Sequence, residues 1–172
     1  MNQSFPWPAK AQDYENTTIG DALRRIFDAL GALRGYRDFV KSAVVPPCDY
    51  VIFNPPFILE FDENQHFTRP RLTSLSFYPP ELKTGFPISH WQELCRSINA
   101  VDDEPIDRDE RRAWYDTLRD LVPTLHGFRP TVRLHANEYH WCALNSALAK
   151  DRETFAKFLQ GRLPDSDAKF TL

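Results

Sequence analysis

Five side chains lying between Asp49 and His66 have the types and spacing for phosphoester chemistry: Asp49, Glu60, Asp62, Gln65 and His66. Two short apolar runs, Tyr50–Phe53 and Phe57–Phe61, flank Asn54-Pro55-Pro56, whose residues favour a turn. A two-residue turn at Asn54-Pro55 pairs Phe53 with Pro56. The antiparallel register then sets Asp49 opposite Glu60 on one face of the hairpin. Paired carboxylates repel unless a cation neutralises them. Asp62 shares the face of Glu60 by the two-residue period, so three acids are expected to converge on one edge. Hard oxygen donors of this kind suit Mg²⁺ or Mn²⁺.

The residues that follow extend the chemistry. His66 near a hydrated ion would position or deprotonate a water, or protonate a leaving oxygen. Gln65 would orient that water or touch a phosphate, and Arg69 and Arg71 would steady the phosphodiester. The implied reaction is metal-assisted phosphodiester hydrolysis. A loop one residue longer or shorter would move Asp49 to the other face, so the register carries this expectation.

The hairpin needs elements to hold it. Residues 1–16 are rich in proline and polar groups and read as an arm laid over the domain. Ile19, Ala22, Leu23, Ile26, Phe27, Leu30 and Leu33 recur at helical spacing, with Thr17 or Thr18 as cap and Gly35 as stop. Tyr36 to Val45 reads as a first strand, closed by Pro46-Pro47. Leu72 to Tyr78 has strand character, and a short helix runs from about Ser89 to Ile98. Asp107 opens a second long helix that Pro123 kinks or ends. Thr131 to Leu134 reads as a fourth strand, and one or two helices complete the chain to Leu163. The expected class is α/β (α+β): one domain over 1–172 with a central mixed sheet of about four strands flanked by helices.

Composition agrees with a single folded domain. The chain has 172 residues, 42% of them hydrophobic. No apolar run nears the ~20 residues that cross a bilayer, and the first residues lack the pattern of a signal peptide. A cytoplasmic protein with no membrane association is expected. Cys48, Cys95 and Cys142 form neither a disulfide framework nor a zinc pair. A net charge of −3 argues weakly against a nucleic-acid partner. A metal site that gathers acids weakens that argument, because the ion offsets them.

Ile58-Leu59-Glu60-Phe61-Asp62-Glu63-Asn64-Gln65-His66-Phe67 resembles the I-E-Y-D-G-x-Q-H-F signature of small PD-(D/E)xK nucleases, in the branch around very-short-patch-repair and phage homing endonucleases. That family also carries an Asp about ten residues upstream, as Asp49 stands here. A second segment is similar as well: Asp107 to Arg112 opening a helix, then Gly127-Phe128, then Val132-Arg133-Leu134. The resemblance covers roughly Ile19 to Leu134. It implies a restriction-endonuclease-like sheet and Mg²⁺- or Mn²⁺-dependent cleavage of DNA, with repair, restriction or phage defence as settings. Asp49 and Glu60 would be metal ligands, with Gln65 and His66 in the active site and Arg69, Arg71, Arg108, Arg111 and Arg112 on the nucleic acid. A homodimer or a larger defence or repair complex is the expected assembly.

Three departures stand out. Asp62 occupies the position of the superfamily's lysine, Glu63 replaces a glycine, and the segment from about 68 to 107 is a long insertion. They motivate a second expectation, a catalytically inactive nuclease-fold subunit that binds nucleic acid or a protein. His135, Glu138 and His140 match no strong zinc motif and read as structural. Trp114 and Trp141 fall in apolar helical patterns and read as core aromatics.

Overall fold

The computed structural model describes residues 3–163. It is a mixed α+β fold in which three strands and five helices follow one another as α1 (Gly20–Leu33), β1 (Tyr50–Phe53), β2 (Pro56–Asp62), α2 (Arg69–Ser76), α3 (Ile88–Ile98), α4 (Arg108–Leu125), β3 (Val132–His135) and α5 (Ala149–Arg162). Short 3₁₀ turns occupy Ala11–Tyr14, Asn64–His66 and Trp141–Ala143. The sheet order is β1-β2-β3, with β1 antiparallel and β3 parallel to β2. No helix among the described residues is long and apolar enough to cross a membrane.

The hairpin register is the expected one. Phe53 pairs with Pro56 and Tyr50 with Leu59, which continues to Asp49 opposite Glu60. β2 pairs Glu60 with Arg133 and Asp62 with His135. Ile58, Glu60 and Asp62 therefore share one face, and Phe57, Leu59 and Phe61 the other.

The structure has three strands among the described residues, where four were expected. Tyr36 to Val45 is irregular apart from one antiparallel bridge between Val44 and Pro8 of the arm. The backbone amides of Lys41 and Ser42 donate to the Tyr115 hydroxyl, and that of Val45 donates to the Trp7 carbonyl. Leu72 to Tyr78 is mostly helix rather than strand. Thr68 caps α2 by accepting from the Arg71 amide at 3.2 Å, and Pro70 sits in the first turn, where its missing N–H leaves no bond unmade. The 68–107 segment is part of the core: Leu75, Trp91 and Cys95 are buried in the main apolar cluster with Leu23, Trp114 and Leu121. Pro123 lies inside α4, which runs on to Leu125.

The N-terminal arm also packs inward. Trp7, Ala9 and Tyr14 are buried, and Trp7 stacks between Phe5 and His126. The Trp114 indole donates to the Ala9 carbonyl, which ties the arm to α4.

Two apolar clusters result. The larger lies among α1, α2, α3, α4 and the arm, on the side that Ile58 faces. The smaller joins Phe57, Leu59, Val132, Leu134, Leu159 and Leu163 beneath α5. The sequence pattern led the three acids to be expected together on one edge of the hairpin. Instead the main core stands behind the acid-bearing face. Glu60 and Asp62 are only 3% and 1% exposed.

Candidate active site

Burying carboxylates demands partners, and the chain supplies them from α2, α4 and β3. Arg133 of β3 is fully buried. Its Nη1 donates to Asp62 Oδ1 at 2.7 Å, its Nε to Asp120 Oδ1 at 2.7 Å, and its Nη2 to the Asp116 carbonyl at 3.2 Å. Arg71 Nη2 donates to Asp120 Oδ2 at 2.8 Å, and the Tyr78 hydroxyl donates to the same oxygen at 2.7 Å. Trp91 Nε1 donates to Asp62 Oδ2 at 2.7 Å. Arg119 Nη2 donates to Asp116 Oδ1 at 2.7 Å. Asp116, Arg119 and Asp120 stand at helical spacing on α4, so a single face of that helix carries all three over β2 and β3.

His66 reaches this network from the 3₁₀ turn after β2. Its Nδ1 lies 3.1 Å from Asp116 Oδ2 and 3.6 Å from Asp62 Oδ1. Burial alone would lower its pKa, but Asp116 and then Asp62 outweigh that and raise it. Asp116 is correspondingly held well below the usual carboxylate range, because Arg133, His66 and Arg119 overcome the effect of burial.

The Asp49–Glu60 end is built differently. The Asp49 amide donates to Glu60 Oε1 at 3.2 Å, and Asp49 Oδ2 accepts from the Phe61 amide at 2.8 Å. Each acid is thus held by the other's strand. Arg119 Nε lies 3.0 Å from Glu60 Oε2, yet its N–H has no aligned acceptor among the described residues. Burial lifts the Glu60 carboxyl to about 7; Arg119 and Arg133 oppose the shift, while Asp116 and Asp49 add to it.

A charge count locates the imbalance. The cluster joins five carboxyl groups (Asp49, Glu60, Asp62, Asp116, Asp120) to Arg71, Arg119, Arg133 and His66, which makes four basic groups. Fully ionised, it carries one negative charge too many. Asp49 is only partly buried, so the excess sits where solvent and solutes reach it.

The expected site residues divide into three sets. Asp49, Glu60 and His66 join one network. Asp62 lies in the same network, but Arg133 and Trp91 take its two oxygens, which removes it from the open edge. The Gln65 side-chain amide donates to Glu63, and the Gln65 backbone carbonyl accepts from Arg112 at 2.9 Å. Among the described residues, no group of three or more His, Cys, Asp or Glu side chains is placed to hold a metal ion.

The arginines expected on nucleic acid also separate. Arg71 is 1% exposed and pairs with Asp120, so it is a structural cation rather than a phosphate contact. Arg108 and Arg112 both bond Asp102, at 2.8 and 2.7 Å. Arg69 is exposed and Arg111 is partly exposed. Asp116, Arg119, Asp120 and Arg133 were missed as site residues. The first three form the polar face of α4, opposite Trp114, Leu118 and Leu121, and in sequence such a face looks like an ordinary solvated one.

No protein-family model, curated protein or solved structure matches this chain.

Proposed function

We propose that the protein is a divalent-cation-dependent phosphodiester hydrolase acting on DNA, with Asp49 and Glu60 as carboxylate ligands and His66 as the proton-transfer group. The observation that carries this reading is the surplus acid at the Asp49–Glu60 end, where Glu60 is lifted to about 7 and its nearest guanidinium is misaligned. One or two carboxylates suit Mg²⁺, which keeps several of its waters and does not require an all-protein cage. A bound ion would supply Lewis-acid polarisation and a more acidic water.

The chain's own groups have assigned work. The hairpin backbone fixes both carboxylates through the Asp49 and Phe61 amides. Asp116 holds Nδ1 of His66 and favours the imidazolium, leaving Nε2 to pass a proton to or from a reacting oxygen. Arg69 and Arg111 would hold the nucleic-acid backbone.

The test uses supercoiled plasmid and single-stranded DNA with Mg²⁺ or Mn²⁺, comparing wild type with Glu60→Gln and Asp49→Asn. Cleavage by wild type that falls at least about 100-fold in both variants is expected, given the usual size of acid–base and metal contributions. Unchanged cutting in Glu60→Gln removes the assignment. A second reading, a non-catalytic binding subunit of the same fold, draws on the capture of Asp62 by Arg133. It gains if no substrate is cut and Mg²⁺ does not raise the melting temperature at pH 8.

A further inference from the structure

The face of the sheet opposite the acids holds a cavity of about 890 Å³. Tyr50, Ile52, Leu59, Phe61, Leu134 and Trp141 form most of its wall, with Phe155 of α5 behind. Trp141 meets Phe61 and Phe155 edge to face, at ring-centre distances of 5.9 and 6.2 Å. The polar groups on the lining are few: Gln3, Asn145, Ser146, Asp151 and Arg152. Its size is that of a pocket for an organic ligand of drug-like dimensions, about 300–1,000 Å³.

Position narrows the occupant. Tyr50 opens β1 directly after Asp49, so the residue next to that acid stands on the cavity wall. Gln3 lines the cavity, and its carbonyl accepts from the Cys48 amide at 3.1 Å, on the other side of Asp49. Tyr50 is 53% exposed at this edge, so its ring is available to a stacking partner. Asp49 and the cavity-lining Tyr50 are consecutive residues at the edge of the sheet.

We infer that the cavity receives one or two unstacked bases of a single-stranded or locally opened nucleic acid whose scissile phosphate lies at Asp49 and Glu60. This rests on the hydrolase reading above. Aromatic rings accept any base by stacking, and the Gln3 and Asn145 side chains stand on the lining as amides, the Asn145 Oδ1 already accepting from the Ala147 amide. The substrate class that follows is a single strand, flap or bubble, with paired duplex disfavoured.

The experiment is oligonucleotide binding in EDTA, which removes cleavage from the readout. A fluorescein-labelled single-stranded DNA, the same strand with an internal abasic stretch, and a blunt duplex are titrated with the whole protein. Anisotropy and tryptophan quenching are followed. The single strand is expected to bind at least about tenfold tighter than the duplex. Abasic substitution or Tyr50→Ala should weaken it roughly 5- to 100-fold, the range for loss of one base stack, and Tyr50→Phe should restore it. Equal binding of abasic and normal strands, indifference to Tyr50→Ala, or no single-strand binding would each overturn the inference. If the cleavage assay still shows Glu60-dependent cutting, the hydrolase reading survives that failure. Loss of both would remove both.

Discussion

The two faces of β2 are both buried, yet they are buried by different physics. Behind Ile58, Glu60 and Asp62 lie the main core and the arginine–carboxylate network. Behind Phe57, Leu59 and Phe61 lie a small apolar cluster and an open cavity. Within the charged face there is a second contrast. Arg133 makes aligned bonds to Asp62 and Asp120, whereas Glu60 faces an Arg119 Nε whose N–H points elsewhere. The Arg133 pairs are aligned and hold the fold together, whereas the Arg119–Glu60 contact leaves the Arg119 Nε–H without an acceptor.

The contrast is tested most severely by Arg133→Ala. It leaves three buried carboxylates short of their cation, and removing one partner of a buried pair destabilises by about 3–5 kcal/mol. Denaturant unfolding should show that loss, and a change below about 1 kcal/mol would mean the network is not structural.

Glu60→Gln should do the opposite at alkaline pH. A folded-state value near 7 against the ordinary 4.5 of a free glutamate means that the folded protein holds a proton the unfolded chain releases. Stability from this group is therefore lost as pH rises from about 4.5 to 7. At about 1.4 kcal/mol per unit, the deficit above pH 7 is roughly 3 kcal/mol. His66, raised in the fold, acts in the same direction: its contribution is present below its unfolded value and is lost as pH rises through the folded one. Wild-type melting temperature should fall from pH 6 to pH 8 without divalent ions. Glu60→Gln should flatten the fall, and a variant as steep as wild type would contradict the shifted acid.

On the apolar face the effects are smaller. Leu134→Ala should destabilise by about 2–3 kcal/mol, toward the low end for a buried leucine, because the residue already borders open volume. Leu121→Ala in the main core should exceed it, and a reversal would mean that the cavity closes in solution. Tyr50→Ala should change stability by less than about 1 kcal/mol, since the ring is half exposed. A larger loss would make Tyr50 part of the scaffold.

Alternation along β2 made its two faces legible from sequence, and the two-residue turn made the pairing of Asp49 with Glu60 legible. Alternation does not reveal which face meets water, because it records only that neighbouring residues point apart. Hence Glu60 and Asp62 were expected together on one edge of the hairpin and lie beneath α4. What covers them is set by residues far along the chain: Asp116, Asp120 and Arg133, whose roles emerge only when α4 and β3 dock. Arg71 shows the same limit. An arginine two residues from an exposed one reads alike in sequence, and only the Asp120–Tyr78 pocket separates Arg71 from Arg69. The segment of α2 reads as a strand because Thr73, Phe77 and Tyr78 favour extended backbone, whereas the three-residue spacing of Leu72 and Leu75 and the cap at Thr68 favour the helix that forms.

Arg133 also bears on how fast the protein folds. Its contact with Asp62 joins positions 71 apart, and the parallel β2–β3 ladder closes a loop of that size. Desolvating a guanidinium is costly until its carboxylates have gathered, so the network is expected to close late in folding. Stopped-flow kinetics on Arg133→Ala should consequently show unfolding accelerated far more than refolding is slowed. The arginine acts as a latch on escape from the native state rather than as a guide toward it.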